Sequence, residues 1–265
     1  MIISKAFFSK NEECFKKEIM YYEITISYYE KWLGQQGCLT DSEAVRFIYT
    51  NERNAKQAGY PSRLDLYVWV QPYKTIISFG DAVQERIDEF RKMLIIKSDI
   101  SKIYKIISSI FECDINHSIK YLYKGTDQSI RLKTKILKAL DYADYEIFFL
   151  SCFPDNDNAW LRGYFDKMIK FGYCVGIYAD NILVSCTDAP SMPYMEDVVQ
   201  EIGINTLPNY RGKGYATAVC IKAVENIIAS GKVPQWSTTI NNFASQNLAE
   251  RVGFVKLSDV LMITL

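Results

Sequence analysis

A single histidine, His117, serves the whole chain. A Ser-His-Asp triad would have to be built on it, and a zinc site made of several imidazoles is excluded for the same reason. Within Cys113-Asp114-Ile115-Asn116-His117 it reads as a surface or capping residue. Cys-x-x-Cys spacing is absent as well. The cysteines (Cys14, Cys38, Cys113, Cys152, Cys174, Cys186 and Cys220) are odd in number and dispersed, which describes free thiols in a reducing compartment and not a disulfide framework. Neither sign of charge prevails, with 31 Lys+Arg against 31 Asp+Glu, so no basic nucleic-acid groove or anionic-membrane surface is indicated. No apolar run approaches the roughly 20 residues of a membrane span. The short apolar start, Met1 to Phe8, meets Glu12 and Glu13 at once and is not a secretory leader. The expectation is a cytoplasmic protein with no metal, no nucleic-acid partner and no membrane partner.

What is present is apolar substance and local order. At 265 residues and 49% hydrophobic, the chain can hold one large domain or two of ordinary size. Residues 1–34 read as helix, with an aromatic stripe through Tyr22, Tyr28-Tyr29 and Trp32 that is read as packing and not as a ligand box. Gly34 to Gly37 breaks it, and Asp41 is an N-cap candidate for a second helix. Strands are predicted at Leu66–Val70 and Thr75–Phe79, then a helix after Gly80-Asp81 with Val83, Ile87, Phe90 and Leu94 on one face. Further helices are predicted over 101–113 and 129–143. A strand at Tyr145–Leu150 opens the second half, followed by a helix from Ala159 to Phe171 stopped by Gly172. A hairpin around Asp180-Asn181 and a strand Val198–Thr206 come next.

That last strand leads into Tyr210-Arg211-Gly212-Lys213-Gly214-Tyr215-Ala216, which opens a helix running to about Ser230. Strand, glycine-containing turn and helix start make an anion site: the backbone approaches closely, successive N–H groups point into the loop, and the helix N-terminus adds partial positive charge. Two rival phosphate loops fail on their residues. The P-loop requires Ser or Thr after Gly-Lys, and the dinucleotide fingerprint needs a third Gly or Ala farther into the helix.

The pattern Arg-x-x-Gly-x-Ala, Arg211 to Ala216, resembles motif A of the Gcn5-related N-acetyltransferase (GNAT) superfamily. Downstream, the Pro234–Thr239 strand, Asn242, Ser245, Leu248 and Val252-Gly253-Phe254 follow at the family's spacing. The Pro-x-Trp, Asn-x-x-Ser and Leu-Ala-Glu-Arg-Val-Gly-Phe segments look most like the zwittermicin-resistance type of GNAT acetyltransferase. The resemblance covers about residues 145–265. It implies an α/β fold with a mixed sheet: a GNAT acyl-CoA N-acyltransferase domain at 145–265 behind an N-terminal mixed α/β domain at 1–144, of which a degenerate GNAT-like copy is one reading.

The resemblance also implies a cleft for acetyl-CoA, the co-substrate. Backbone groups of Ile204, Asn205 and Thr206 would pair with the pantetheine amides, the N–H groups of Gly212, Lys213, Gly214, Tyr215 and Ala216 would hold the pyrophosphate, and Asn242 would lie near pantetheine. Arg211 and Lys213 either add charge toward phosphate or are solvated. Acetylation of an amine requires loss of a proton from the amine, a donor to the developing oxyanion, and departure of the thiolate. Glu201 is the candidate base, with Gln200 at the adjacent register position and a β-bulge able to bring either forward. The proton donor is less legible: relatives place a Tyr where this chain has Ala249. Ser245 is the candidate substitute and equally a helix N-cap. Cys220 is read as core. The acceptor would be a small-molecule or peptide amine. The reading from another class is an acyl-CoA-binding module with an interaction role and no catalysis.

Overall fold

The computed structural model describes residues 2–94, 99–126, 130 and 132–265, and no side chain among residues 2–11, 13 and 14. In chain order the elements are α1 (Ile2–Leu33), β1 (Val45–Tyr49), β2 (Leu66–Gln71), β3 (Lys74–Phe79), α2 (Ile87–Met93), α3 (Ile100–Phe111), β4 (Asn116–Tyr123), β5 (Lys135–Ile136), α4 (Tyr142–Cys152), α5 (Leu161–Lys170), β6 (Val175–Ala179), β7 (Ile182–Asp188), β8 (Val199–Glu201), β9 (Gly203–Thr206), α6 (Tyr215–Ala229), β10 (Val233–Thr239), α7 (Phe243–Val252) and β11 (Phe254–Ile263).

Strand β2 shows how the layers arise. Leu66, Val68 and Val70 belong to one core cluster, and Tyr67 and Trp69 to another; all five are buried. Period-two alternation with both faces apolar requires cover on both sides. On one side Ile87 and Phe90 of α2 and Ile103, Ile106, Ile107 and Ile110 of α3 close the core. On the other lies α1, with Tyr29 at 4.6 Å from the Trp69 ring and Trp32 at 5.5 Å from the Tyr67 ring. The large sheet runs β1-β3-β2-β11-β4-β10-β8, and a smaller antiparallel one β5-β6-β7-β9. Tyr145 and Phe148 of α4 pack with Leu161, Phe165 and Met168 of α5 in a third cluster with residues of β6 and β7, while α6 gives Val219, Cys220, Val224 and Ile227 to the main core. Thus the mixed α/β architecture is present.

Strands from the two halves of the chain interleave. Strand β4 lies between β10 and β11, antiparallel to both, and β2 pairs with β11 on its far side. The expected division at 144/145 falls inside α4, and the N-terminal strands form no sheet of their own among the described residues.

Several elements differ from expectation. Residues 145–150 form part of helix α4, not a strand. Its run of apolar residues suits either structure, but Tyr145 and Phe148 are the buried pair and Ile147 is 66% exposed, which is helical spacing. Asp41 caps no helix. It accepts from Lys74 Nζ at 2.6 Å and pairs with Arg46, while Val45–Tyr49, rich in β-branched and aromatic residues, pairs in parallel with β3. In place of a helix over 129–143, of which residues 129 and 131 lie outside the described residues, there is the short β5 and a 3-10 turn at Ala139–Asp141. Strand β4 had no sequence assignment at all. The hairpin turn is as expected, with Asp180 and Asn181 both at positive φ, 51° and 62°.

Candidate active site

The site begins where the expected strand Val198–Thr206 divides. Its first part, β8, pairs in parallel with β10 through Val199, Gln200 and Glu201. Ile202 makes the last link, N–H to the Gln235 carbonyl at 3.2 Å. Beyond it the chain changes sheets: β9 pairs only with β7, and Trp236–Thr239 of β10 pair only with β4. Two strands that start as neighbours therefore separate, leaving the outer edge of β9 and the facing edge of β10 open. Leu207 N–H bonds the Val184 carbonyl, so by alternation along the β7–β9 ladder Asn205 turns its N–H and C=O toward β7, and Ile204 and Thr206 turn theirs to the open edge, where an extended ligand can add as a strand. Arg211 Nε occupies the Thr206 carbonyl at 3.1 Å, and the Thr206 hydroxyl meets that of Ser185 at 2.8 Å.

At the far end of β9 the turn takes the conformation its glycines permit. Gly212 and Gly214 have φ of 75° and 81°, in the left-handed region. The first helical bond of α6 is Ala218 N–H to Gly214 carbonyl, and among the described residues nothing accepts from the N–H groups of Gly212, Lys213, Gly214, Tyr215, Ala216 or Thr217. A Cβ built on Gly212 would meet nothing within 4 Å. This open row of donors at a helix N-terminus fits a phosphate group. Lys213 lies over the Tyr210 ring at 4.8 Å, so the basic side chains here brace the turn's own structure.

At the apex of the separation Glu201 projects toward β10 and accepts a short hydrogen bond from Ser237 Oγ. Gln200, the adjacent register position, is buried, and its amide donates to the Pro190 and Glu201 carbonyls. Of the two, Glu201 lines the cavity beside the separating strands and Gln200 does not. The carboxylate lines a cavity of about 260 Å3 roofed by Tyr28, Tyr29 and Trp32 of α1, with Tyr60, Tyr67, Ser118, Lys120, Gln235 and Ser237 among its walls. Two larger surface grooves, about 510 and 580 Å3, include neither Glu201 nor the glycine turn. In the aromatic stripe of α1, Tyr28, Tyr29 and Trp32 are core packing, as expected, and also wall, whereas Tyr22 is exposed.

Burial works against the charge of Lys120, yet Tyr60, Tyr67 and Glu201 around it outweigh that and raise its pKa. Burial, then the Glu201 charge, pushes the Tyr28 phenol up. Burial likewise pushes the Tyr29 and Tyr67 phenols up, so at neutral pH these three phenols are neutral and Lys120 is an ammonium. Of these wall residues only Glu201 was a functional candidate from sequence, and Tyr28, Tyr29 and Trp32 were read as packing alone. The only local sign was a lysine inside the otherwise apolar and aromatic run Ile119 to Tyr123, which is costly to bury without a reason.

The other expected residues are placed as follows. Asn242 is the N-cap of α7, its Oδ1 accepting from Ser245 N–H at 3.1 Å, so the capping role belongs to Asn242 and not to Ser245. Ser245 Oγ accepts from the Trp236 indole at 3.2 Å. Ala249 is fully buried in the main core, and Cys220 is too, its thiol pushed up by burial. His117 meets Asp259 at 3.0 Å between β4 and β11. Six cysteines are free, and the side chain of Cys14 lies outside the described residues. Among the described residues no group of three or more His, Cys, Asp or Glu could hold a metal ion, and no helix is long and apolar enough to cross a membrane.

Asp188 sits at the end of β7 opposite Gly203, where its carboxylate fills the space a Cβ would need. Burial, then the Glu201 charge, pushes its pKa up to about 6, while a Tyr164 hydrogen bond works the other way. From about pH 4, the ordinary aspartate range, to about 6, the native state holds more protons than the unfolded chain, so this group's contribution to stability falls as pH rises and the full penalty is present above 6. We expect Asp188→Asn to raise stability by up to about 3 kcal/mol above about pH 7, with the gain vanishing near pH 4. Urea denaturation at both pH values checks this; an equal effect at the two would refute it.

The comparisons with known proteins bear on family and fold. The model of a family described as GNAT acetyltransferase matches residues 74–259, a range that crosses residue 145. The uncharacterized N-acetyltransferase YdfB of Bacillus subtilis (strain 168) is 22% identical over 159 residues, 58% of this chain and 59% of that protein. The match therefore spans less than two thirds of that relative's length. Among solved structures, a GNAT-family acetyltransferase from Colwellia psychrerythraea shares the fold with a TM-score of 0.50 and 16% identity, over 68% of this chain and 72% of that one. A putative acetyltransferase from Salmonella typhimurium, solved with its cofactor acetyl-CoA, has a TM-score of 0.42 and 13% identity, over 50% of this chain and 91% of that one.

Proposed function

The chain belongs to the GNAT acetyltransferase family, and from that premise we propose that it transfers an acetyl group from acetyl-CoA to a primary amine by direct attack in a ternary complex. One observation carries the reading: the strands separate at Ile202, which leaves β9 an open edge leading to the row of free N–H donors at the glycine turn and sets the Glu201 carboxylate, at the apex, in the wall of a cavity. Acetyl-CoA supplies the activated acyl group and the thiolate that departs.

The chain's own residues do the rest. The open edge of β9 would align the pantetheine arm through the backbone groups of Ile204 and the Thr206 N–H, with Asn205 turned to β7, and the Gly212–Thr217 N–H groups would hold the pyrophosphate. Asn242, exposed beside β10, offers its amide to the arm. Glu201 takes the proton from the incoming ammonium, directly or through one water. Ser237, donating to it, fixes its rotamer. Cytoplasmic residence, where thiols stay reduced and acetyl-CoA is available, is part of this proposal and is supported by the free thiols. The Pro234-x-Trp236 and Leu248–Phe254 segments support a zwittermicin-resistance type of role, acting on a small amine.

Burial of Ala249 where relatives place a Tyr favours the second reading, acyl-CoA binding without catalysis. Release of free CoA in the presence of an amine panel separates the two. The anion turn is tested by binding. Acetyl-CoA at a hundredfold excess over its dissociation constant should stabilise the protein by about 2.7 kcal/mol. Gly214→Glu should weaken binding at least about thirtyfold, since it places a carboxylate among donors meant for phosphate and a side chain at φ 81°. Gly214→Ala carries the strain alone and should lose less. An undiminished thermal shift in the Glu variant would move the anion site elsewhere.

A further inference from the structure

The cavity beside Glu201 is not electrically symmetric. At its β8–β10 end the groups that face a ligand are acceptors: the Glu201 carboxylate and Gln235 Oε1, which has no hydrogen-bond partner although Gln235 is only 2% exposed and its amide nitrogen is held by Thr25 at 3.1 Å. Toward β4, β11 and β2 the groups are donors. They are the Lys120 ammonium, the Tyr67 hydroxyl and the Trp32 indole N–H, and the last two are buried without a partner. Lys120 is 6% exposed; Glu201 acts on it through space, and no carboxylate among the described residues pairs with it directly. Behind this end lies a second buried cation, Arg53, stacked on Trp32 at 4.7 Å and on Tyr67 at 5.3 Å.

A buried ammonium hydrogen-bonded by Tyr60, whose counter-charge Glu201 acts only from across the cavity, beside two buried donors without acceptors, is an unfavourable arrangement unless something completes it. The core does not require it: Lys120 faces the cavity from a strand whose neighbours Ile119, Tyr121 and Tyr123 pack ordinarily. Lys120 and Ser237 are cross-strand partners, and Ser237 donates to Glu201, so the two ends lie two strands apart on one face of the sheet. That is about 10 Å between backbones, reduced by the reach of both side chains to the length of a small molecule.

We propose that the acceptor is a small zwitterion, a primary amine that also carries a carboxylate or phosphate, with the amine at Glu201 and Gln235 and the anionic group at Lys120, Tyr67 and Trp32. This rests on the acetyltransfer reading and adds the class of acceptor.

The test is a panel of matched pairs that differ only in the anionic group: glycine and methylamine, β-alanine and ethylamine, γ-aminobutyrate and propylamine, phenylalanine and phenethylamine, lysine and cadaverine, and O-phosphoethanolamine and ethanolamine. Acetylation is read as kcat/KM for CoA release, and binding without acetyl-CoA as a thermal shift. At least one anionic member should exceed its partner by roughly tenfold or more, in turnover or in binding; the pair in which it does so distinguishes carboxylate from phosphate. Lys120→Met should abolish that preference, and Lys120→Arg, which keeps the charge, should retain it. If no anionic member is favoured in either measurement, or if Lys120→Met keeps the preference, the proposal is overturned. Amines acetylated without preference would sink it and leave acetyltransfer standing. A zwitterion that binds without CoA release from any pair would support the pocket assignment and sink acetyltransfer.

Discussion

A fragment beginning at residue 145 should fail to fold. It retains the glycine turn, the hairpin and both strands that separate at the apex, but it lacks β4, which lies between β10 and β11. Trp236 to Thr239 and most of Phe254 to Met262 would lose their ladder partner, and β11 would also lose β2. The packing goes with it: Ile119, Tyr121 and Tyr123 are buried, and the Tyr123 ring sits 5.1 Å from that of Phe254. At roughly 1.5–3 kcal/mol for each large side chain buried, these three alone approach the roughly 5–15 kcal/mol by which a domain is stable. The α1 roof over β10 is lost in addition. Expression of 145–265 should give insoluble protein, or soluble protein without a cooperative melt. A sharp thermal transition in that fragment would show that the C-terminal half is a domain by itself.

The interleaving explains what could and could not be read from sequence. The conformation of the glycine turn was legible because its causes are local: two glycines at positive φ, a strand before and a helix after, all within a few residues. The Asp180-Asn181 hairpin and the two-faced strands at Leu66 and Thr75 were legible for the same reason. The place of β4 was not, because pairing of 116–123 with 233–263 leaves no mark in either segment. Its residues are apolar on one face, while the other mixes Ser118 and Lys120 with Leu122, so no simple alternation announces it. Tyr145 to Leu150 failed differently. A six-residue apolar run is compatible with both periods, and only the partners of Tyr145 and Phe148 decide between them. Glu201 was legible as a candidate and its register was not. The break at Ile202, which turns Gln200 inward and sets Glu201 against Ser237, arises from β8 and β9 joining different sheets.

Glu201→Gln should lower kcat for amine acetylation by about a hundredfold or more while acetyl-CoA binding is unchanged. The substitution is nearly isosteric, and the Gln carbonyl oxygen can still accept from Ser237 Oγ, so the rotamer and the cavity wall are kept. What is lost is the capacity to accept a proton, together with the negative charge that draws an ammonium to the apex. A positioned general base contributes about 10²–10⁴ in rate. With Ala249 buried and no phenol at that position, proton removal from the amine is the assistance this site is equipped to give. The loss should fall on kcat and kcat/KM together, as for an interaction made mainly in the transition state. It should shrink as pH rises, because the free amine then needs less help. Steady-state CoA release with the preferred amine, beside a thermal shift by acetyl-CoA, measures both quantities. Should Glu201→Gln turn over at the parent rate, the base lies elsewhere among the cavity walls. Should it lose acetyl-CoA binding as well, the carboxylate is part of the cofactor cleft and not of the proton path.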